Sequence, residues 1–360
     1  MTSLVYYVSG HGFGHAVRSA EIIRALGRRR PGLHVHLRTT APAWLFPAVE
    51  SFQSGDLDAG VVQPDALHID RAATLARAAQ LARESETLVA VETDFLRRVG
   101  AGLVVGDVPP LAFLAARAAG LPGVAVANFS WDWIYRPYVR ARPEYAWLLE
   151  WLRRAYGCAD LLLRLPFHGD LSAFRAIEDV PLVNRPPSAA RAALRGRLDL
   201  RPAELAVLLS FGGLGLTGLD VGQLAVFRRY TFIATEKEVS PGSALPANLR
   251  LVPAYQHNYT DLLAACDAVV SKPGFGIVAS CLAERVPLLY TDRGDFPEYA
   301  VLVEAIHRYG RGRHIPQSDL LAGNLGPHLD ELFGTPASWP PLRTDGAEVV
   351  AARLLEIGRW

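Results

Sequence analysis

Three glycine-bearing loops hold the residue types that could do chemistry. The first is Ser9-Gly10-His11-Gly12-Phe13-Gly14-His15-Ala16, where alternate glycines let the backbone turn sharply and approach a ligand. His15 stands where a following helix would begin. The helix dipole disfavours an imidazolium there, so a neutral ring able to take a proton near pH 7 is expected. That is the chemistry of a general base, set against the plainer role of a histidine capping a helix. As a dinucleotide fingerprint the loop fails, because its spacing is G-x-G-x-G and no acidic residue ends the second strand. Gly12 and Gly14 fit either tight strand-to-helix packing or a ligand site.

The second loop, Ser210-Phe211-Gly212-Gly213-Leu214-Gly215-Leu216, again follows an apolar run. Its amides, around Gly213 and Gly215, could line a phosphate or a cleft floor, or make only a turn. The third, Val269-Val270-Ser271-Lys272-Pro273-Gly274-Phe275-Gly276, joins a buried strand to a helix start. Arg outnumbers Lys 35 to 2 in this chain, so a lysine at the mouth of that loop draws notice. Amides, helix dipole and a compact ammonium together make an anion site over Ser271, Lys272, Gly274, Phe275 and Gly276. Asp292 to Glu298 follows the next strand, and Asp295 there could hold sugar hydroxyls or belong to a solvated acidic loop. Asp56 and Asp58 form a D-x-D that nothing places at a sheet's carboxyl edge, so no metal is expected from it. Cys158, Cys266 and Cys281 lack paired spacing and read as reduced thiols.

The elements that must position these loops follow from hydrophobic patterning. Apolar runs alternate with helix-period stretches: Leu4 to Ser9, a helix near His15 to Arg28, Leu33 to Thr39, Leu103 to Val105, a helix to Ala119, and Val124 to Ala127. That is βα alternation and predicts an α/β fold with parallel sheets. A second series opens at Leu205 and runs through Tyr230 to Ala234, Leu249 to Val252, Ala268 to Ser271 and Pro287 to Thr291. With 360 residues, two domains of about 150 to 180 residues are expected. We place them at 1–180 and 188–343, with Pro181 to Pro187 as hinge. A last helix follows over 344–360, with Asp345 as N-cap and Glu348 at the capping-box position.

A formal net charge of +1 argues against nonspecific nucleic-acid binding. The start of the chain has no basic region ahead of its first strand, and no apolar run reaches the roughly 18 residues that span a bilayer. A soluble, cytoplasmic protein is expected. Within 135–157 the stripe Trp147, Leu148, Trp151, Leu152 is flanked by arginines; it suits a helix packed on its own domain or a weak membrane-surface or acceptor-side patch.

With these loops located, the chain resembles the GT-B glycosyltransferases, the group that includes the UDP-glucuronosyl-type enzymes and the lipid II N-acetylglucosaminyltransferase. Within that group it resembles most the glycosyltransferase-like N-terminal region of plant L-arabinokinases and its bacterial relatives. The strings that carry the likeness are Gly10 to Ala16, Val105-Gly106-Asp107-Val108, and Asn128-Phe129-Ser130-Trp131-Asp132-Trp133-Ile134-Tyr135. The resemblance implies two Rossmann-like domains facing across a cleft, the N-terminal one for the acceptor and the C-terminal one for a nucleotide-sugar. It implies His15 as the base, with Asp107 or Asp132 orienting it. Lys272 stands where relatives place a phosphate-binding histidine, Gly274 to Gly276 would offer amides to a diphosphate, and Pro253 to Tyr255 match the loop that holds the base.

Ser280 replaces a ribose-gripping glutamate of many relatives, with Glu284 one turn later. The glutamate pair of retaining relatives would fall at Lys272 and Ser280 and is missing, which favours inversion. The expectation is an inverting, metal-independent hexosyl- or pentosyltransferase using a nucleotide-sugar, UDP-linked, as co-substrate and no cofactor. The alternatives are an inactive nucleotide-sugar-binding module and a nucleotide-sugar epimerase.

Overall fold

The computed structural model describes residues 3–55, 57–212, 215–216, 218–240, 242–253, 258–336 and 338–360. Seven strands form the first sheet: β1 (Ser3–Val8), β2 (His34–Arg38), β3 (Ser51–Gln53), β4 (Ala101–Asp107), β5 (Gly123–Ala127), β6 (Leu161–Arg164) and β7 (Ile177–Asp179). Their order is β3-β2-β1-β4-β5-β6-β7, and every pairing is parallel. Six strands form the second sheet: β8 (Leu205–Leu209), β9 (Tyr230–Ala234), β10 (Leu249–Leu251), β11 (Ala268–Ser271), β12 (Leu288–Tyr290) and β13 (Gly312–His314). Their order is β10-β9-β8-β11-β12-β13, again all parallel. The chain is thus two doubly wound Rossmann-like halves, as the alternation predicted.

Both sheets reverse direction of growth beside their first strand, between β1 and β4 and between β8 and β11. Loops at the carboxyl ends of these strands splay apart there and leave a crevice. The two crevices are built alike, since Ser9 N donates to Asp107 O at 3.1 Å and Ser210 N donates to Val270 O at 3.0 Å. The central strands are buried on both faces, which their continuous Val, Leu and Ala runs require. Edge strands β3, β7 and β13 have three residues each and carry no apolar run, so their pattern announces no strand.

The halves share one apolar cluster. It runs from Leu4, Ala20 and Leu26 through Leu182 and Val183 to Val269, Phe275, Val278, Val350 and Leu354. The last helix, Gly346–Ile357, packs on the first helix, Phe13–Arg29. The capping box expected at its start does not form. Asp345 pairs instead with Arg343 (2.6 Å), and Glu348 is drawn across to Arg28 (2.6 Å) and Arg29 (2.8 Å), whose positive charges outcompete a local amide.

Where the 181–187 segment meets this helix, Leu182 N donates to Arg343 O and Gly346 N to Leu182 O, both at 3.1 Å. A Cβ at Gly346 would lie 2.1 Å from the Pro181 carbonyl oxygen, a backbone atom. We expect Gly346→Val to cost about 1–3 kcal/mol through overpacking, read as a lowered thermal midpoint; an unchanged midpoint would show that the backbone crossing at 181–182 yields freely.

Candidate active site

The first helix starts at Phe13, with Gly12 as its N-cap at φ 80°, a left-handed conformation that glycine adopts without strain. His15 is therefore in the first turn, and Arg18 and Ser19 follow three and four residues on, the spacing that puts side chains on one helix face. All three point at Asp107, the last residue of β4, which is fully buried. His15 Nδ1 lies 2.8 Å from Asp107 Oδ1. Arg18 grips the same carboxylate with Nε to Oδ2 at 2.7 Å and Nη2 to Oδ1 at 2.5 Å, and the Ser19 hydroxyl donates to Oδ2 at 2.9 Å.

Burial alone would raise the Asp107 carboxyl; the Arg18 and His15 charges and hydrogen bonds outweigh it and hold the group well below the usual carboxylate range. Asp107 is thus ionised and can only accept. That fixes the His15 tautomer: Nδ1 carries the hydrogen, although Arg18 Nη2 also sits 3.0 Å from it. In the neutral ring Nε2 is then the nitrogen with the lone pair, and among the described residues nothing hydrogen-bonds to it.

The network continues across the chain. Arg18 Nη1 donates to Asn128 Oδ1 at 2.7 Å, Asn128 Nδ2 donates to Glu298 Oε1 at 2.6 Å, and Arg293 Nη1 donates to Glu298 Oε2 at 2.6 Å. Asn128 and Glu298 are buried and lie in different halves. Arg18 also sits 5.0 Å over the Phe275 ring. The two outer glycine loops meet directly, since a Cβ on Gly276 would fall 3.2 Å from the Gly14 Cα. Only glycine pairs let two backbones approach that closely.

On the C-terminal side, the helix Phe275–Ala283 starts after Gly274 with no side chain capping it, and a Cβ on Gly274 would meet nothing within 4 Å. Its first amides are left without a side-chain cap, an arrangement that favours an anion at a helix start. Lys272 is part-buried beside it, and burial, then Arg293, pull its ammonium down to about 7. Its Nζ donates to the Ala66 carbonyl of the other half. The Ser271 hydroxyl donates to Ser210 O at 2.5 Å and ties the second loop to the third. Gly215, at φ 67°, is pressed against the Lys237 carbonyl. Pro253 ends exposed beyond β10, while Gly213 and Tyr255, like Asp56, lie outside the described residues.

Several expected residues are placed elsewhere. Asp132 does not reach His15: it accepts from Ser130 Oγ at 2.5 Å and faces Arg153 at 3.5 Å, with burial raising its carboxyl. Ser280 donates to Asn184 Oδ1 at 3.0 Å, and Glu284 accepts from Asn184 Nδ2 at 3.3 Å. The Asp295 carboxylate is paired with Arg71, and its carbonyl accepts from Tyr138 at 2.9 Å. Asp58 holds the Trp131 indole at 3.0 Å.

No role is read from the sequence for Arg18, Asn128 or His11, although Arg18's spacing from His15 is a usable signal. The His11 ring packs edge-on against Trp131 at 5.6 Å. Burial, and then the neighbouring His15, Arg293 and Lys272, hold His11 well below its ordinary range. Among the described residues no group of three or more His, Cys, Asp or Glu is arranged for a metal, and no helix is long and apolar enough to cross a membrane. Of the 135–157 stripe, Leu148 and Leu152 are buried in their own domain and Trp147 is exposed.

Arg18→Ala would leave Asp107 buried with its main counter-charge gone, costing about 3–5 kcal/mol of stability. The pH sense follows from the depressed carboxyl: its stabilisation is full above the ordinary carboxylate range and is lost as pH falls below it. Asp107→Asn should therefore flatten the acid limb of thermal midpoint against pH; an unaltered acid limb would refute the ionised assignment.

Residues 2–138 match a family described as glycosyl transferase family 1. The chain is 34% identical over 370 residues to L-arabinokinase of Arabidopsis thaliana, covering 98% of this chain and about a third, 34%, of that protein's length. Among solved structures it is similar to the glycosyltransferase VinC in complex with dTDP (TM-score 0.60, 19% identity, 99% of this chain and 94% of that one). It is also similar to Phytolacca americana UGT2 complexed with UDP-2fluoro-glucose and pterostilbene (TM-score 0.61, 14% identity, 99% and 94%). The chain has the GT-B fold; its residues 2–138 are similar to glycosyl transferase family 1, and nearly all of it is similar to a stretch of plant L-arabinokinase.

Proposed function

We propose that the chain is a glycosyltransferase that transfers a sugar from a nucleoside diphosphate, UDP in the first instance, to the hydroxyl of a small acceptor. The observation that carries this is the His15–Asp107 pair at 2.8 Å, set directly across the Gly14–Gly276 contact from an uncapped helix start with a lysine. His15 Nε2 takes the proton from the acceptor oxygen as that oxygen attacks the sugar's anomeric carbon. Asp107 holds the ring and stabilises the imidazolium that forms. The anomeric bond to the diphosphate breaks, and the departing charge is received by the amides at Phe275 and Gly276 and by Lys272. Displacement from the face opposite the leaving group inverts the anomeric centre. No metal is assigned a step, because these groups supply the positive field themselves. VinC with dTDP and UGT2 with UDP-2fluoro-glucose support a nucleotide-linked donor.

A second reading, a module that binds nucleotide-sugar without transferring, is favoured by one feature. Arg18 takes both oxygens of Asp107, so less carboxylate charge is left to support an imidazolium than in a bare His–Asp pair. The two readings part in one experiment: UDP-sugars are screened by calorimetry and by released UDP, with and without acceptors. Tight binding with no turnover would favour the module, and conversion of donor without acceptor would point to an epimerase.

His15→Ala should lower transfer by about 10²–10⁴-fold while leaving UDP affinity within about twofold; full transfer by that variant would end the proposal. UDP binding must charge Lys272, so affinity should weaken as pH rises through about 7, and Lys272→Gln should remove that dependence, as measured by calorimetry across pH.

A further inference from the structure

The stretch between β3 and the helix Arg71–Arg83 contains a turn that packs into the other half of the molecule. Ala66 and Leu67 are 2% and 5% exposed, and the cluster that buries them is otherwise made of C-terminal residues such as Val207, Phe211, Val270 and Leu289. The turn has its own neck: Val62 and Asp70 form an antiparallel bridge, Asp70 N donating to Val62 O at 2.9 Å. Its tip is shaped by Asp65, whose Oδ1 accepts from Leu67 N at 2.7 Å and His68 N at 2.9 Å. Arg71 and Asp295 clamp its flank across the halves. Thus pinned, the tip places the Ala66 carbonyl on Lys272 Nζ. The Leu67 carbonyl lies against Gly294, where a Cβ would stand 2.9 Å from it.

A part-buried ammonium with no acceptor is costly, and a carbonyl satisfies it. A phosphate oxygen would satisfy it better, because both partners are then charged. We propose that the 63–68 turn is a plug seated in the anion site of the C-terminal half, with the Ala66 carbonyl standing where a diphosphate oxygen binds. A nucleoside diphosphate must displace it. This rests on the reading of Lys272 as a phosphate holder and adds that the unliganded protein occupies that site itself. Binding then selects the molecules whose plug is out, so apparent affinity is reduced by their fraction. The neck, held by Val62 and Asp70, stays folded while the tip swings, which makes the displacement local.

Lys272 and Lys237 are the two lysines of the chain, so one amine-reactive probe reports on the plug with an internal reference. Acetic anhydride labelling of the full chain without nucleotide, followed by mass spectrometry, should modify Lys272 about tenfold more slowly than Lys237. Leu67→Ser, which weakens the seated tip by removing apolar burial, and Asp65→Ala, which releases its turn, should each raise the Lys272 rate several-fold. Each should also tighten UDP binding by about tenfold in calorimetry. Leu67→Met, which keeps the burial, should change neither. Two variants at different atoms guard against a folding defect, and thermal midpoints are read for all. Equal Lys272 labelling in every protein overturns the plug. Faster labelling with UDP binding no tighter in the two weakened variants overturns displacement. If UDP and inorganic pyrophosphate bind none of the proteins while labelling still responds, the assignment of Lys272 to phosphate falls, and the seating of the turn stands.

Discussion

A single buried carboxylate organises the centre of this protein. Asp107 ends a strand with no exposure to water, and an isolated charge in that position would cost several kcal/mol. Arg18 makes the position tenable by closing on both oxygens, and His15 and Ser19 fill the remaining lone pairs. The consequences spread outward. Because Asp107 stays ionised, His15 has one allowed tautomer. Because Arg18 is pinned, its third nitrogen reaches Asn128, which reaches Glu298 in the other half. The His15 ring and the contact between domains are thereby parts of one hydrogen-bonded unit.

The crevices of the two halves are related by architecture and differ in chemistry. The first puts side chains at its mouth, a histidine backed by a carboxylate. The second puts backbone there, the uncapped amides of the helix after Gly274, with a lysine beside them. On the proposed reading these are a base and an anion site, complementary requirements of group transfer from a phosphate leaving group, and the Gly14–Gly276 contact lets the two loops approach. The same apposition explains the plug, since a turn of the first half is long enough to offer its carbonyl to the lysine of the second.

The relatives fit this picture at different levels. Likeness to VinC and UGT2, below 20% identity, is a likeness of fold. Identity of 34% to about a third of plant L-arabinokinase is closer in sequence, and places a unit of this kind within a larger protein.

What the sequence determined by itself is what local patterning encodes. Apolar runs alternating with helical periods specify parallel sheets, and glycine loops after strands specify where backbone opens to a ligand, since both follow from sterics and burial within a few residues. The helix spacing that aims His15 and Arg18 one way is equally local. Tertiary structure decided the partners. Asp107 and Asp132 are both carboxylates shortly after strands, and only the pairing of β1 with β4 puts the first, 92 residues away, on His15. Asp132 turns to Arg153, Asp295 to Arg71, Ser280 to Asn184, and Glu348 past its own helix to two arginines, because each found an opposite charge or a hydrogen-bond partner that only packing brought near. The occupant of Lys272 is 206 residues distant, a backbone carbonyl that no side-chain pattern could announce.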